Sequence, residues 1–433
     1  MITMNSFGNY PISHPKAIFK PAWQDQISSI LDGSTDVILP IGMRRSYGDS
    51  CLNNEGDLIE LTGINKIISF DEINGVICTE AGINLKEILS IIVPRGWFLP
   101  VSPGTRYVTI GGAIANDIHG KNHHKAGSFG NHVIRFALQR TDVDEVIVCS
   151  ETEHADLFYA TIGGLGLTGV ILWAEFTLSK IDSPMMNTKT ERFTGYSEYV
   201  EISKREDATF TVAWFDSVSG GSKFMRGLFN SGEFIHHDHI EEMKGGIPIP
   251  MNAPENLLNQ WTMKMFNSLY YRKNIQNVSQ KIQHYVPFFY PLDSLKDWNK
   301  LYGKKGFVQY QCVIPHESAE ESIQHIVRHM QNKRMGSFLV VLKSFGSIKS
   351  RGLLSFPMPG MTLAMDFPMR GSETLNLLSY FDDIVHEAGG RVYPAKDARM
   401  SGEHFRSWYP GFEEMIKLKD PKLSSDFWKR VMK

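Results

Sequence analysis

Cysteine is scarce in this chain: Cys51, Cys78, Cys149 and Cys312 are scattered over 433 residues and never form CxxC. That spacing excludes a disulfide framework and a thiolate zinc site, and it fits a reducing compartment. Long apolar runs are missing as well. No stretch is long enough to span a bilayer, and the opening MITMNSFGNYPISHPK lacks the apolar core of a secretion signal. Charge of either sign is not in excess, with 45 basic against 47 acidic residues, which disfavours a nucleic-acid binder driven by overall positive charge. No GxGxxG follows an opening strand, and neither GxxxxGKS/T nor HExxH occurs. The expectation is a cytoplasmic protein without a nucleic-acid partner.

What is present is enough for large cores: 42% of residues are hydrophobic and 11% aromatic. At this length two domains are expected. In the first, NKIISFDEINGVICTEAG reads as a hairpin turning at Asn74-Gly75, a dipeptide that takes positive φ readily. NLKEILSIIVP reads as a helix capped by Asn84, with Leu85, Ile88, Leu89 and Ile92 on one face and Pro94 ending it. RFALQRTDVDEVIVCS reads as a strand pair, followed by a helix near 155–162 and a strand in GVILWAEFTLSK. IDSPMMN is taken as a break and a domain boundary.

Beyond it, ATFTVAWFDSV, KFMRGLFNSGEF, FVQYQCVIP, SFLVVLKSFG and MTLAMDFPM read as strands of an antiparallel sheet. HESAEESIQHIVRHMQNK predicts a helix with a capping box at Ser318 and Glu321 and a stripe of Ile323, Ile326, Val327 and Met330. SETLNLLSYFDDIVHEAGG predicts another, stopped at Gly389-Gly390. The fold class is therefore α+β, with the second sheet covered by helices. The region 231–259 reads as a surface loop and a candidate lid carrying Ile247, Ile249 and Met251.

Three segments share small residues: PIGMRRSYGDS (40–50), SPGTRYVTIGGAIANDIHG (102–120) and ATIGGLGLTGV (160–170). Such segments bring main-chain N–H groups close to a ligand, and 109–118 reads as the start of a helix, whose N-terminus favours phosphate. Each alone is equally well explained by turns and close packing; three together point to a large phosphate-bearing cofactor.

RSYGDS, PGTRYVTIGGAIANDIHGKNHHKAGSFGNHV and TIGGLGLTGV resemble the FAD-binding half of the vanillyl-alcohol-oxidase (PCMH-type) superfamily. Together with FVQYQCVIP, FLVVLKSFG, MDFP and GGRVYPAKDAR they are most similar to the decaprenylphosphoryl-β-D-ribose oxidase family, over nearly the whole chain. The resemblance implies a two-part FAD-binding domain (1–183), a substrate domain (184–390) and a C-terminal return (391–433). It implies that Gly42, Arg45, Ser46, Tyr47, Gly48 and Asp49 form one cofactor loop and Pro103, Gly104, Thr105, Thr109, Gly111, Gly112, Asn116, Ile118 and His119 another, with Ile171 and Tyr393 adding contacts. Relatives that tether FAD do so through a histidine where Arg45 stands, so FAD here is expected to be non-covalent. Arg44 departs from the glycine that the resemblance implies at this position.

The implied reaction is oxidation of the 2-prime hydroxyl of a polyprenylphosphoryl ribose to a ketone, by hydride transfer to flavin N5. A separate NAD(P)H-dependent short-chain reductase would complete the epimerisation to arabinose. Such chemistry needs a positive group near the flavin and a handler for the hydroxyl proton. Lys396 is the first candidate, with Tyr47, His119 and Gln311 beside it. Gln309 and Gln311 alternate on one strand face. Lys343 is a candidate for the substrate phosphate, and Lys121 is placed with it in the substrate site. Ala364 stands where mycobacterial relatives carry a cysteine captured by covalent nitroaromatic inhibitors.

Other readings compete. One is a flavoenzyme for a soluble sugar, alditol or aldonolactone; another is a non-catalytic flavoprotein; a third is a metal-dependent hydrolase. The histidine groups His119, His123, His124, His132 and His236, His237, His239 lack metal-site spacing, and no metal is expected. A lipid-linked substrate implies an apolar groove and peripheral contact with a membrane surface, whereas a soluble one implies neither.

Overall fold

The computed structural model describes residues 2–238, 246–254 and 257–433. Its first sheet is small and parallel, with Asp57–Glu60 between Ile18–Phe19 and Ile38–Ile41. The second has five antiparallel strands in the order Ile147–Ser150, Val133–Gln139, Val170–Thr177, Val76–Glu80, Ile67–Asp71. The hairpin turns where expected: Gly75 has φ of 65°, and Asp71 accepts from the amides of Ile73 and Asn74. The helix Leu85–Ile92 begins in a full capping box between Asn84 and Glu87 and buries the four predicted apolar residues.

The large sheet runs Val278–His284, Met185–Thr194, Arg226–Phe234, Phe210–Phe215, Val340–Phe345, Gly360–Pro368, Phe307–Ile314, Arg391–Val392. All neighbours are antiparallel. Helices His316–Asn332 and Ser372–Glu387 pack against it, the first through Ile323, Ile326, Val327 and Met330, all fully buried. The mixed α+β class is as the sequence indicates.

Three local readings need correction. No capping box forms at Ser318: the helix already starts at His316 after Pro315, and the Ser318 hydroxyl donates to the carbonyls of Pro315 and Ala388. The supposed break at IDSPMMN is only partly one, because Met185, Met186 and Asn187 open a ten-residue strand. In the predicted loop 231–259, Ser231 to Phe234 complete a strand, and Ile247–Pro248 pair in parallel with Leu295–Lys296.

The C-terminal helices Gly402–Trp408, Phe412–Leu418 and Asp426–Val431 fold back on the start of the chain. Phe405, Trp408 and Phe427 share one core with Leu39, Leu52 and Leu58. The Ile38 amide donates to Lys422 O at 2.9 Å, and the Asp426 amide to Leu52 O at 2.8 Å. This closure brings Lys396 beside the loop containing Tyr47.

Candidate active site

A cavity of about 1060 Å³ lies between the glycine-rich segments and one face of the large sheet. This is at the upper end of the roughly 300–1,000 Å³ of small-molecule sites. Gly42, Arg45, Ser46 and Tyr47 line one wall; Pro103, Gly104, Thr105 and Thr109 line the next. Gly111, Gly112, Asn116, Ile118, His119, Ile171 and Tyr393 also face it.

Gly48 and Asp49 do not line the cavity. A Cβ on Gly48 would sit 1.6 Å from Asp397 O, so this glycine serves a backbone crossing. Asp49 is buried and accepts two hydrogen bonds from Arg430, both at 2.9 Å. Its carboxylate ties the loop to the last helix. Arg44 has φ of 51°, the left-handed region that favours glycine, at the very position where the resemblance expects one.

The helix N-terminus expected to hold a phosphate is already satisfied. Ile110–Ala115 is only six residues long, and the amides of Ile110 and Gly111 donate to Ile83 O (3.0 Å) and Ala81 O (2.8 Å). The Gly112 amide donates to the capping Thr109 Oγ1 at 3.2 Å. The Arg45 guanidinium lies 5.0 Å from the Phe7 ring and 5.3 Å from the Tyr107 ring. Its Nε is buried without a partner among the described residues. Burial lowers its pKa, with Asp293 pulling the other way.

The sheet supplies the opposite wall. Register pairs Gln309 with Asp366, Gln311 with Ala364, and Lys343 with Thr362. Because side chains alternate along a strand, Gln309, Gln311, Lys343, Thr362 and Ala364 all reach the cavity. The Gln311 amide nitrogen lies 2.8 Å from His119 Nε2 and 3.2 Å from Thr362 Oγ1. With this amide donating, His119 carries its ring proton on Nδ1, an atom that is buried and unpartnered among the described residues. Burial, followed by Lys343, His123 and Lys396, holds the imidazole well below its usual pKa, so the ring is neutral.

Lys396 Nζ sits 3.8 Å from the centre of the Tyr47 ring. Burial lowers its pKa to about 7, against the opposing pull of Asp366. Lys343 is also brought to about 7, by burial and then by Lys121 and Lys396. Burial takes Lys121 to about 8. None of the three forms an ion pair among the described residues; Lys121 and Lys343 instead donate to the carbonyls of Phe289 (3.1 Å) and Gly120 (3.4 Å). The three amines are thus desolvated and line one cavity.

The comparisons bear directly on this geometry. A family model described as an FAD binding domain matches residues 15–143. Decaprenylphosphoryl-beta-D-ribose oxidase of Mycolicibacterium smegmatis is 34% identical over 91% of this chain and 89% of its own length. The chain belongs to the decaprenylphosphoryl-β-D-ribose oxidase family. As a member it is an FAD-dependent oxidoreductase. An uncharacterized protein of Streptomyces coelicolor is 30% identical over 81% of this chain and all of its own length. A putative D-arabinono-1,4-lactone oxidase of Neurospora crassa is 31% identical, over 41% of this chain and 27% of that protein.

The residues present fit FAD. The unpartnered Arg45 Nε would offer a donor to a pyrophosphate. Gly42 and Gly112 leave the wall bare at Thr109, whose Oγ1 a Cβ on Gly42 would meet at 2.2 Å. The neighbouring histidines are occupied elsewhere: His124 and His132 Nε2 lie 3.1 Å from Ala208 O and 2.8 Å from Ala126 O, and His123 Nδ1 accepts from the Gly346 amide at 3.3 Å. His236 pairs with Asp238 at 3.3 Å on the exposed surface, and His239 lies outside the described residues.

Sequence reasoning missed one buried acid. Asp366 accepts from Gln309 Nε2 at 2.5 Å and from Tyr302 OH at 3.4 Å. Burial pushes its carboxyl up to about 7, although Gln309, Lys396 and Tyr302 favour the charged form. An aspartate inside the apolar strand MTLAMDFP, in register with Gln309, was the signal. The cavity also extends over Thr188, Thr190, Asn230 and Gln283, which lie on strands that the sequence reading left out or took only in part.

Proposed function

We propose that this enzyme oxidises the 2-prime hydroxyl of a polyprenylphosphoryl ribose to a ketone, the first half of an epimerisation to the arabinose form. The observation that carries the reading is the group Lys121, Lys343 and Lys396: three desolvated amines facing one cavity suit a sugar bearing a phosphate. The M. smegmatis relative, named for a ribose carried on decaprenyl phosphate, supports the same choice. In this reading residues 1–183 hold FAD, 184–390 hold the substrate, and 391–433 return Lys396 to the cofactor side. Bound FAD supplies the two-electron acceptor for the carbinol hydrogen.

The chain's own residues bind and orient. Arg45, Ser46, Gly104, Thr105 and Gly111 hold the cofactor without a covalent bond, since arginine replaces the tethering histidine. Lys343 and Lys121 meet the substrate phosphate. Gln309 and Gln311 fix the sugar, and neutral His119 donates from Nδ1. Lys396, with a pKa of about 7, accepts the hydroxyl proton at Nζ and then balances negative charge on the reduced cofactor. A separate NAD(P)H-dependent reductase completes the epimerisation, and the lipid tail places the work at a membrane surface. No helix among the described residues is long and apolar enough to cross a membrane.

The test is a visible spectrum of the purified protein before and after acid precipitation, then anaerobic addition of a polyprenylphosphoryl ribose. Flavin bands in the acid supernatant, and bleaching of the native protein by that substrate, are expected. Bleaching only by a free aldonolactone or alditol would transfer the assignment to a soluble sugar.

A further inference from the structure

The helix Gln260–Lys273 turns an apolar stripe outward. It starts in a capping box between Asn259 and Thr262 and runs 14 residues. Its inward face is mixed: Met263 is buried, fully buried Asn267 donates to Asp216 Oδ1 at 3.0 Å, and Ser268 Oγ accepts from Arg226 at 3.0 Å. Arg226 in turn forms a buried salt bridge with Asp216 at 2.9 Å. Trp261, Met265 and Leu269, spaced i, i+4, i+8, share the outward face and are 82%, 63% and 61% exposed. A surface helix ordinarily turns such a stripe to the core. Here the Asp216–Arg226–Asn267 network fixes the opposite orientation, and the apolar surface continues into Ile275, Val278 and Ile282, also exposed.

The charge carried by this segment of chain has one sign. From Leu257 to Leu292 the sequence holds Lys264, Arg272, Lys273 and Lys281 and neither aspartate nor glutamate, in a chain where acids otherwise match bases. The next stripe of the same helix, Phe266, Tyr270 and Lys273, lines the mouth of the cavity. Outward tryptophan and aliphatic side chains flanked by lysine and arginine are what an interfacial helix presents to an anionic bilayer.

We infer that the outward face of the helix Gln260–Lys273, with the adjoining strand Val278–His284, docks on a bilayer containing anionic lipid and opens the cavity directly to it. The inference deepens the lipid-linked reading: a polyprenyl tail then stays in the bilayer while its sugar phosphate reaches Lys343 and Lys121. It also moves the membrane contact from the predicted lid to the helix that follows.

The experiment is co-sedimentation of the full-length FAD-loaded protein with vesicles of phosphatidylcholine alone and of phosphatidylcholine with phosphatidylglycerol. The wild type should partition onto the anionic vesicles, and the combined variant Trp261→Ser, Met265→Ser, Leu269→Ser should bind at least about tenfold more weakly. Lys264→Gln with Arg272→Gln should reduce the preference for the anionic vesicles. Unchanged FAD content and melting temperature would show that both variants fold. Equal binding by the serine variant, no binding by the wild type, or a wild-type dimer in solution that the serine variant splits would each overturn the inference, the last by assigning the face to a second copy. Turnover of a short-chain, water-soluble polyprenylphosphoryl ribose reads the reaction separately. If vesicle binding fails and that turnover persists, only the docking face is wrong. If binding holds and turnover fails, the substrate reading is wrong.

Discussion

Lys396 has two unlike neighbours, the face of Tyr47 at 3.8 Å and the buried carboxyl of Asp366, which favours its charged form. Replacing it with methionine keeps the bulk and removes the proton site. The expected result is a fall in kcat of about 10²–10³-fold with FAD content unchanged, read by steady-state kinetics beside the visible spectrum; a wild-type kcat would remove Lys396 from the chemistry. Ala364 makes a second residue-level prediction. It lines the cavity in register with Gln311, whereas the neighbouring Cys312 is fully buried and burial raises its thiol pKa to about 12. Cys51 also lines the cavity, but its thiol is likewise raised to about 12. A nitroaromatic activated at the flavin should leave no adduct on the wild type and one adduct on Ala364→Cys, by intact-protein mass. An equal adduct on both proteins would mean that another nucleophile serves. At this scale the sequence was legible where a motif names a residue and silent on direction. RSYGDS places Tyr47 correctly on the cavity, yet nothing in it says that Gly48 and Asp49, one and two positions on, turn away to meet Asp397 and Arg430.

Elements were legible in proportion to how ordinary their burial is. The capped helix Leu85–Ile92 and the strand Phe307–Ile314 follow familiar patterns, an apolar stripe in one and a continuous β-prone run in the other. The strand Val278–His284 escaped because it is an edge strand with exposed residues, and VSQKIQH carries no clean alternation of buried positions. The helix Gln260–Lys273 escaped because its main apolar stripe faces outward, while its inward face sets Asn267 and Ser268 beside a single buried methionine, Met263. The loop 42–49 and the segment 394–399 form another such unit, held by contacts between residues some 350 positions apart. The amides of Tyr47 and Asp49 donate to the carbonyls of Ala395 and Asp397 at 3.1 and 3.3 Å, with no side chain interposed at Gly48. Gly48→Ala forces a Cβ into the Asp397 carbonyl and should cost about 3 kcal/mol or more in a denaturant melt, because backbone on both sides must move. Cofactor affinity should fall with it, since the same displacement shifts Tyr47 and Lys396. A stable Gly48→Ala variant with normal FAD content would show that the crossing is looser than this packing implies.

Across the whole molecule, the charges gathered around the cavity make stability depend on pH in two opposed ways. Asp366 is raised from 3.8 to about 7 in the folded protein. Between those values the native state keeps a proton that the unfolded chain releases, so this group's contribution is full below pH 3.8 and is lost as pH rises through 7. Lys343 is lowered from 10.5 to about 7. Across that window the unfolded chain holds a proton that the native state has released, so stability rises with pH until the lysine is neutral in both states. Lys396 and Lys121 act in the same sense as Lys343. Together these groups carve a trough near neutral pH, where the ligand-free site holds unpaired charge. An anion bound among the amines would fill it. Lys343→Met should therefore melt above the wild type at pH 7 and below, with the gap closing as pH approaches 10.5. Asp366→Asn should gain on the wild type as pH rises from 4 to 7 and then hold its advantage. Inorganic phosphate should raise the wild-type melting temperature near pH 7 more than that of Lys343→Met. A gap between wild type and Lys343→Met that does not change with pH would mean that the amine stays protonated in the folded protein. In that case the cavity already pairs it with a negative charge, and the anion site assigned to these lysines would lose its basis.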